Sequence, residues 1–153
     1  MARETGIPPL ALLALVAAAM WLMDRWLPRV GPAWPSLAAV ASIVGACGLV
    51  VGVLALLPFG RLRTTVDPRH PERASRLVTD GVYRVSRNPM YLAMLLGLVA
   101  WGLWLGQAPA LLLGPAFFVA YLNRRQIPPE ERALAAAFGE EYERYRRKVR
   151  RWL

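Results

Sequence analysis

Charge is missing from three long stretches of this chain. No Asp, Glu, Lys or Arg occurs from Thr5 to Met23, from Val30 to Gly60, or from Asn88 to Asn123. Uncharged runs of about 18 residues or more read as membrane spans. Ionisable residues inside spans mark ion and proton pathways, so their absence argues against a pump, a channel or a transporter subunit. Cysteine is nearly absent too. Cys47 stands alone inside an apolar run, which excludes an internal disulfide and a thiolate metal cluster, and it is expected to be a small buried packing residue. The only histidine, His70, precedes Pro71 in a polar stretch and is expected at the surface, not as a general base. Nothing resembles a Ser or Cys nucleophile arrangement, so no covalent enzyme intermediate is expected.

What is present is apolar and basic. The 153 residues are 56% hydrophobic with a formal net charge of +9, and the mean hydropathy is +0.34. Almost all the positive charge is Arg. Basic chains often bind nucleic acid, but here the Arg residues flank apolar runs, where they mark cytoplasmic loops and meet anionic lipid. No nucleic-acid partner is expected; membrane lipids are.

The length allows one domain, residues 1–153. A cleaved signal peptide is disfavoured because no small-x-small site precedes Asp24. Residues 1–60 supply two packing spans, Ile7 to Trp26 and Ser36 to Leu57, the second stopped by Pro58. A Pro- and Gly-rich connection, Leu27 to Pro35, joins them. Residues 61–153 supply a polar loop, a helical hairpin and a tail. The hairpin comprises Pro89 to Leu105 and Pro109 to Asn123, turning at Gly106-Gln107-Ala108-Pro109. Seven Arg lie between Arg61 and Arg87, and the tail is more basic still. The positive-inside rule therefore puts loop, tail and both termini in the cytoplasm. The expected fold is all-α: a polytopic membrane helix bundle of four spans with a C-terminal amphipathic cytoplasmic helix, in a bacterial or archaeal cytoplasmic membrane. Trp26, Trp34 and Trp104 suit an outer aromatic belt. Gly48 and Gly52 form a GxxxG pattern that lets helices approach closely; packing within the chain is the first use, a homodimer seam the alternative.

The tail reads as one helix. Pro128 and Pro129 open it, with Glu130 and Glu131 near the positive end of the helix dipole. Glu131, Leu134, Phe138, Tyr142, Tyr145, Val149 and Trp152 then recur at spacings of three and four. This stripe lies at the membrane surface or caps the bundle. Upstream, Arg87-Asn88-Pro89 sits where the loop enters a helix. Pro89 suits the first helical position, and exposed N–H groups beside Arg87 make an anion site.

Two separated motifs stand around the hairpin. They are Leu77-Val-Thr-x-Gly-Val-Tyr83-Arg with Arg87-Asn-Pro-Met-Tyr91, and Glu130-Glu131-x-x-Leu134 with Phe138-Gly-x-Glu-Tyr142-x-x-Tyr145. Over about Arg76 to Arg150 the chain resembles the isoprenylcysteine carboxyl methyltransferase and phospholipid methyltransferase superfamily. The resemblance implies S-adenosylmethionine as cofactor, bound on the cytoplasmic side, and a lipophilic acceptor entering sideways from the bilayer. It implies that Arg87, Asn88, Pro89, Tyr91, Glu130 and Glu131 line the cofactor pocket. The chemistry agrees: carboxylates accept from ribose hydroxyls or an ammonium, and Arg or Asn binds a carboxylate. Tyr83 and Tyr142 join these candidates because Tyr rings can flank an adenine or a sulfonium.

Many superfamily members have Gly where this chain has Ala93, and Arg where it has Gln126. If an Arg orients the acceptor, Arg125 is the nearest substitute, so Arg87 and Arg125 are the catalytic candidates. Structural alternatives stand beside these roles: an interface anchor for Arg87, ordinary helix-start acids for Glu130 and Glu131, stripe packing for Tyr142 and Tyr145. A non-catalytic membrane protein of the same fold, serving as assembly or ligand-binding partner, is the alternative function. No metal site is expected.

Overall fold

A computed structural model describes residues 6–28, 37–62 and 76–153, with backbone alone for residues 60–62. Trp34, most of the first connection, and the loop segment with His70 lie outside the described residues. The described chain is helical: α1 (Pro9–Trp26), α2 (Leu37–Leu62), a 3-10 turn (Gly81–Arg84), α3 (Pro89–Leu105), α4 (Ala108–Tyr121), a π-turn (Leu122–Gln126), α5 (Ile127–Phe138) and α6 (Glu140–Lys148).

The hairpin forms as its punctuation dictates. Pro89 occupies the first turn of α3, and Gly106 closes the helix in the left-handed conformation at φ 64°, which costs glycine nothing. The Gly106 N–H returns to the Gly102 and Leu103 carbonyls. Gly102 lets the two arms meet, since a Cβ there would lie 2.8 Å from Leu111 Cα. The buried Gln107 side chain donates to the Leu27 and Pro28 carbonyls at 3.4 and 3.3 Å, tying the end of α1 to the turn. At the other end the Ile7 N–H donates to the Tyr121 hydroxyl at 2.9 Å. Thus α1 runs antiparallel to α4, and Met20 of α1 sits against Gly114 of α4.

Helix α2 packs along α3 through its small residues. A Cβ on Gly48 would stand 3.0 Å from Leu96 Cβ and 3.2 Å from the Ala93 carbonyl oxygen, and one on Gly52 would stand 3.4 Å from Ala93 Cβ. The glycine face expected for either intrachain packing or a dimer seam is therefore taken up within the chain. One apolar cluster joins Leu12, Val16 and Met20 to Leu98, Phe118, Leu122 and Ile127. A second joins Ala55, Val78 and Tyr83.

Three expected boundaries are corrected. Helix α2 does not stop at Pro58 but runs through it to Leu62. Pro58 lies in the last turns, where a missing N–H and a ring against the carbonyl four residues back disturb little that follows. The second hairpin helix and the tail are not separate: α4 leads through the π-turn directly into α5. Pro128 and Pro129 lack N–H donors, and the wider π-turn spaces the chain so that their rings are accommodated. The tail is two helices. Gly139 adopts φ 51°, ψ −124° between α5 and α6, a conformation that L side chains rarely adopt. The stripe survives this break: Tyr142, Tyr145 and Val149 are buried against Leu77, Leu134 and Phe138. The apolar face of the tail is spent on the protein, so α6 caps the bundle.

Among the described residues two helices are long and apolar enough to cross a membrane, Pro9–Trp26 and Leu37–Phe59, with 22% and 17% of their span windows buried. A core helix of a water-soluble fold would be mostly buried. Here Leu15, Trp21, Leu49, Val50 and Leu56 point outward, as lipid contact requires. Cys47, expected to be buried, is exposed on α2 as well. Helix α3 is apolar but shorter, at 17 residues, and α4 has 14. Four helices form the bundle, then, of which two meet the span length by themselves.

Close approach of α2 to α3 predicts an asymmetry between glycines. Gly48→Leu forces overpacking worth about 1–3 kcal/mol and should lower the thermal midpoint in detergent. Gly97→Leu, where a Cβ meets nothing within 4 Å, should leave it unchanged. Equal midpoints for the two variants would contradict this packing.

Candidate functional site

Polar side chains gather at the end of the bundle where α3 begins and α4 ends. The loop delivers Arg87 there, because the Gly81–Arg84 turn is anchored on both sides. The Tyr83 hydroxyl donates to the Ala55 carbonyl at 3.4 Å, its ring meets Phe59 edge-on at 5.9 Å, and its own carbonyl accepts from the Tyr145 hydroxyl at 2.7 Å. Burial pushes the Tyr83 and Tyr145 hydroxyls well above the usual phenol range and raises that of Tyr142, so all three stay neutral hydrogen-bonding groups.

Glu131 holds the centre. Its Oε1 lies 3.0 Å from Arg87 Nη1 and its Oε2 2.7 Å from Arg151 Nη2, and Arg151 Nε also donates to Oε1 at 3.1 Å. The Arg87 and Glu131 side chains are only 11% and 14% exposed. Charges that deep persist only when paired. Arg87 Nη1 donates further to the Tyr142 hydroxyl at 3.2 Å. Its Nε, also buried, has no partner among the described residues. A buried N–H without an acceptor costs about 1–3 kcal/mol, so this donor fits a ligand acceptor.

Glu130 sits beside this triad with a different role. Its Oε1 accepts from the Tyr91 hydroxyl at 2.6 Å and from Gln126 Nε2. Both donors are neutral. Burial pushes the carboxyl up to about 7, and the two hydrogen bonds only partly oppose that shift. Glu130 is therefore the acid with capacity for a cationic or hydroxyl-bearing ligand, whereas each oxygen of Glu131 already holds an arginine.

The end of the chain closes the cluster. The Arg87 N–H donates to the Arg150 carbonyl at 3.0 Å. Asn88 Nδ2 donates to the Arg151 carbonyl at 2.9 Å, and Ser86 Oγ donates to the same oxygen at 3.4 Å. Trp152 donates to Asn123 Oδ1 at 3.1 Å and packs on the main apolar cluster.

Of the residues singled out from sequence, Arg87, Asn88, Pro89, Tyr91, Glu130, Glu131 and Tyr142 meet here, with Tyr83 one layer below. Arg125 does not join them. It lies exposed on the π-turn, while its neighbour Gln126 turns inward to Glu130. Sequence reading missed Gln126, Arg151, Ser86 and Trp152 as parts of the cluster. Gln126 stands four residues before Glu130, a helical spacing that could have revealed it. Nothing in the sequence distinguishes Arg151 from the other tail arginines.

The sequence model of the phospholipid methyltransferase family matches residues 37–141, a span that includes Arg87, Tyr91, Glu130 and Glu131. The chain belongs to this family. The C-terminal segment with Tyr142, Arg151 and Trp152 lies beyond the family match. The chain is 53% identical to an uncharacterized Haemophilus influenzae protein over 64 residues, 42% of this chain and all of that protein. It is 34% identical over 116 residues to the probable protein-S-isoprenylcysteine O-methyltransferase of Oryza sativa subsp. indica, covering 72% of this chain and 57% of the rice protein. Against the Schizosaccharomyces pombe protein-S-isoprenylcysteine O-methyltransferase it is 36% identical over 73 residues, 48% of this chain and 30% of the yeast protein. The chain thus matches about half or less of each methyltransferase relative's length.

The raised carboxyl of Glu130 gives a pH signature. A carboxyl whose folded value lies above its ordinary 4.5, here about 7, adds stability that is fully present below the ordinary value and is lost as pH rises through the folded one. Between about pH 5 and about pH 8 the protein should lose thermal stability relative to Glu130→Gln, which cannot ionise. Parallel pH profiles of the two midpoints would remove Glu130 from this role.

Proposed function

We propose that this protein is an integral membrane methyltransferase that uses S-adenosylmethionine and acts on a lipid-like acceptor of the isoprenylcysteine carboxylate or phospholipid-amine type. Membership of the phospholipid methyltransferase family and the names of the rice and yeast relatives support methyl transfer. The observation that carries the reading is the pairing, within one cluster, of an unsatisfied buried Arg87 Nε with a buried Glu130 carboxyl that has only neutral donors. That donor set fits a ligand bearing both a carboxylate and cationic or hydroxyl groups, as S-adenosylmethionine does.

Arg87 donates to the ligand carboxylate through Nε, held in orientation by Glu131 and Tyr142. Glu130 accepts from the ribose hydroxyls or the ammonium. Glu131 positions Arg87 and Arg151. Tyr142 covers the cluster, and the Arg150–Trp152 segment excludes water from it, which strengthens each of these contacts. When bound, S-adenosylmethionine supplies a methyl group made electrophilic by its sulfonium. The protein's own contribution is alignment of the acceptor nucleophile with that group. Calorimetry in detergent should show S-adenosylmethionine binding to the unaltered protein and about tenfold or greater weakening in Glu130→Gln, the size expected of a charge-assisted hydrogen bond. Equal affinities would return Glu130 to a structural role.

In this reading the four helices of the bundle all cross the membrane and the cluster faces the cytoplasm. The Arg asymmetry between loops supports it, as do the opposite ends of the bundle at which Ile7–Tyr121 and Leu27–Gln107 meet. Cysteines placed at Gly60 and Gly106 should label from opposite sides of the membrane, Gly60 from the cytoplasmic side. Labelling of both from one side would refute the topology.

A further inference from the structure

Gln126 stands where the π-turn passes into α5, and two neighbours fix its amide. Its Nε2 donates to Glu130 Oε1. On its other side lies the segment that enters α1. A Cβ on Gly6 would stand 3.4 Å from Gln126 Oε1 and 3.8 Å from the Tyr121 hydroxyl, and that hydroxyl accepts from the Ile7 N–H at 2.9 Å. Tyr121 and Gln126 are five residues apart, the interval that a π-turn brings together. A neutral amide is thus held between the start of α1 and the acid of α5.

The charges around this amide are unevenly placed. Arg87 and Arg151 both bind Glu131. Arg124 and Arg125 lie exposed on the π-turn. Glu130 takes its two hydrogen bonds, from Tyr91 and Gln126, on the same oxygen, Oε1. Among the described residues its Oε2 takes none. The acid next to Gln126 therefore has no cationic partner there, and its negative charge stands uncompensated when it ionises.

We propose that Gln126 determines the acceptor class: by leaving Glu130 without a cationic neighbour, it makes the site accept an amine nucleophile and reject a carboxylate. The proposal rests on the methyltransferase reading and chooses between the two acceptor types which that reading names. The two transfers differ in charge. An amine first gives its proton to bulk water. Its nitrogen lone pair then forms the new N–C bond, and the electron pair of the breaking C–S bond stays on sulfur as a neutral thioether. The positive charge moves to nitrogen and remains in the site. A carboxylate attacks in the same way through oxygen, but its negative charge cancels that of the sulfonium and the product is a neutral ester. Beside Glu130 an incoming carboxylate meets a like charge in a largely buried place, which is costly. A nitrogen gaining positive charge meets the opposite sign, which lowers the barrier. An arginine at position 126 would reverse both effects, since it would neutralise Glu130 and present the fork that binds carboxylates.

The test uses the full chain in bilayer nanodiscs with methyl-labelled S-adenosylmethionine. Two acceptors are offered together, phosphatidylethanolamine and N-acetyl-S-farnesylcysteine. Mild alkali releases label from a carboxyl methyl ester and leaves N-methyl label in place, so one sample yields the ratio. The unaltered protein should give mostly alkali-stable label. Gln126→Arg should lower the stable-to-labile ratio about tenfold or more, the size of one charge contact at a partly buried site. Gln126→Met, which is uncharged and of similar length, should slow both transfers and keep the ratio. Mostly labile label from the unaltered protein, or equal changes of ratio in the two variants, would overturn the proposal. A second readout needs no turnover. Gln126→Arg should abolish the loss of thermal midpoint between about pH 5 and about pH 8, because beside a cation Glu130 ionises at lower pH. An unaltered pH profile in that variant would also overturn the proposal. Failure of the unaltered protein to bind S-adenosylmethionine in calorimetry would instead count against the methyltransferase reading, and the pH profile would still judge Gln126.

Discussion

A single carboxylate, Glu131, lies between Arg87 and Arg151, and the mouth of the bundle depends on it. The three residues come from three parts of the chain: the loop before α3, the helix α5, and the segment after α6. Removing water from two guanidinium groups is costly unless a counter-charge meets them, so the loop and the tail are held wherever α5 carries Glu131. The bonds from the Arg87 backbone N–H and the Asn88 side-chain amide to the Arg150 and Arg151 carbonyls follow from that placement. Without the carboxylate, two cations would face each other in a largely buried site.

This arrangement separates two neighbouring acids by environment. Glu131 meets arginine on both oxygens, whereas Glu130, one residue earlier, meets only a phenol and an amide. On a helix, consecutive residues point about 100° apart, so adjacency in sequence leads the two into different surroundings. The charged partner of one serves structure, and the neutral partners of the other leave its carboxyl near neutrality and available. Gln126 contributes to this contrast. An arginine in its place would give Glu130 a permanent counter-ion and lower its carboxyl towards the ordinary range.

The bundle below exists to bring that mouth to the bilayer. Small residues draw α2 onto α3, and Met20 seats on Gly114 to draw α1 onto α4. Hydrocarbon supplies little drive between helices, so such close van der Waals packing is what holds them. The outward faces of α1 and α2 stay apolar and exposed, while the polar cluster and the basic tail collect at one end.

Much of this was legible in the residues themselves. The uncharged runs marked the helices, and Pro89, Gly106 and Pro109 punctuated the hairpin, because these act through local backbone constraints that need no tertiary partner. The Glu131-to-Trp152 stripe showed which face of the tail would be buried, since helical periodicity survives one glycine break. The break itself was not evident: Gly139 inside a helical pattern is compatible with continuation or a kink, and only the packing of Tyr142 and Tyr145 on Leu77 and Leu134 decides. Nor were the continuity of α4 with α5 and the exposure of Arg125 readable, because a π-turn shifts every following side chain around the helix by more than local pattern can register. The choice of Arg151 from a run of arginines was likewise tertiary. The order of residues determined that most of the arginines would gather at one end of the bundle; only the position of Glu131 in space decided which of them would be buried, since a buried cation needs one particular neighbour and an exposed one needs none.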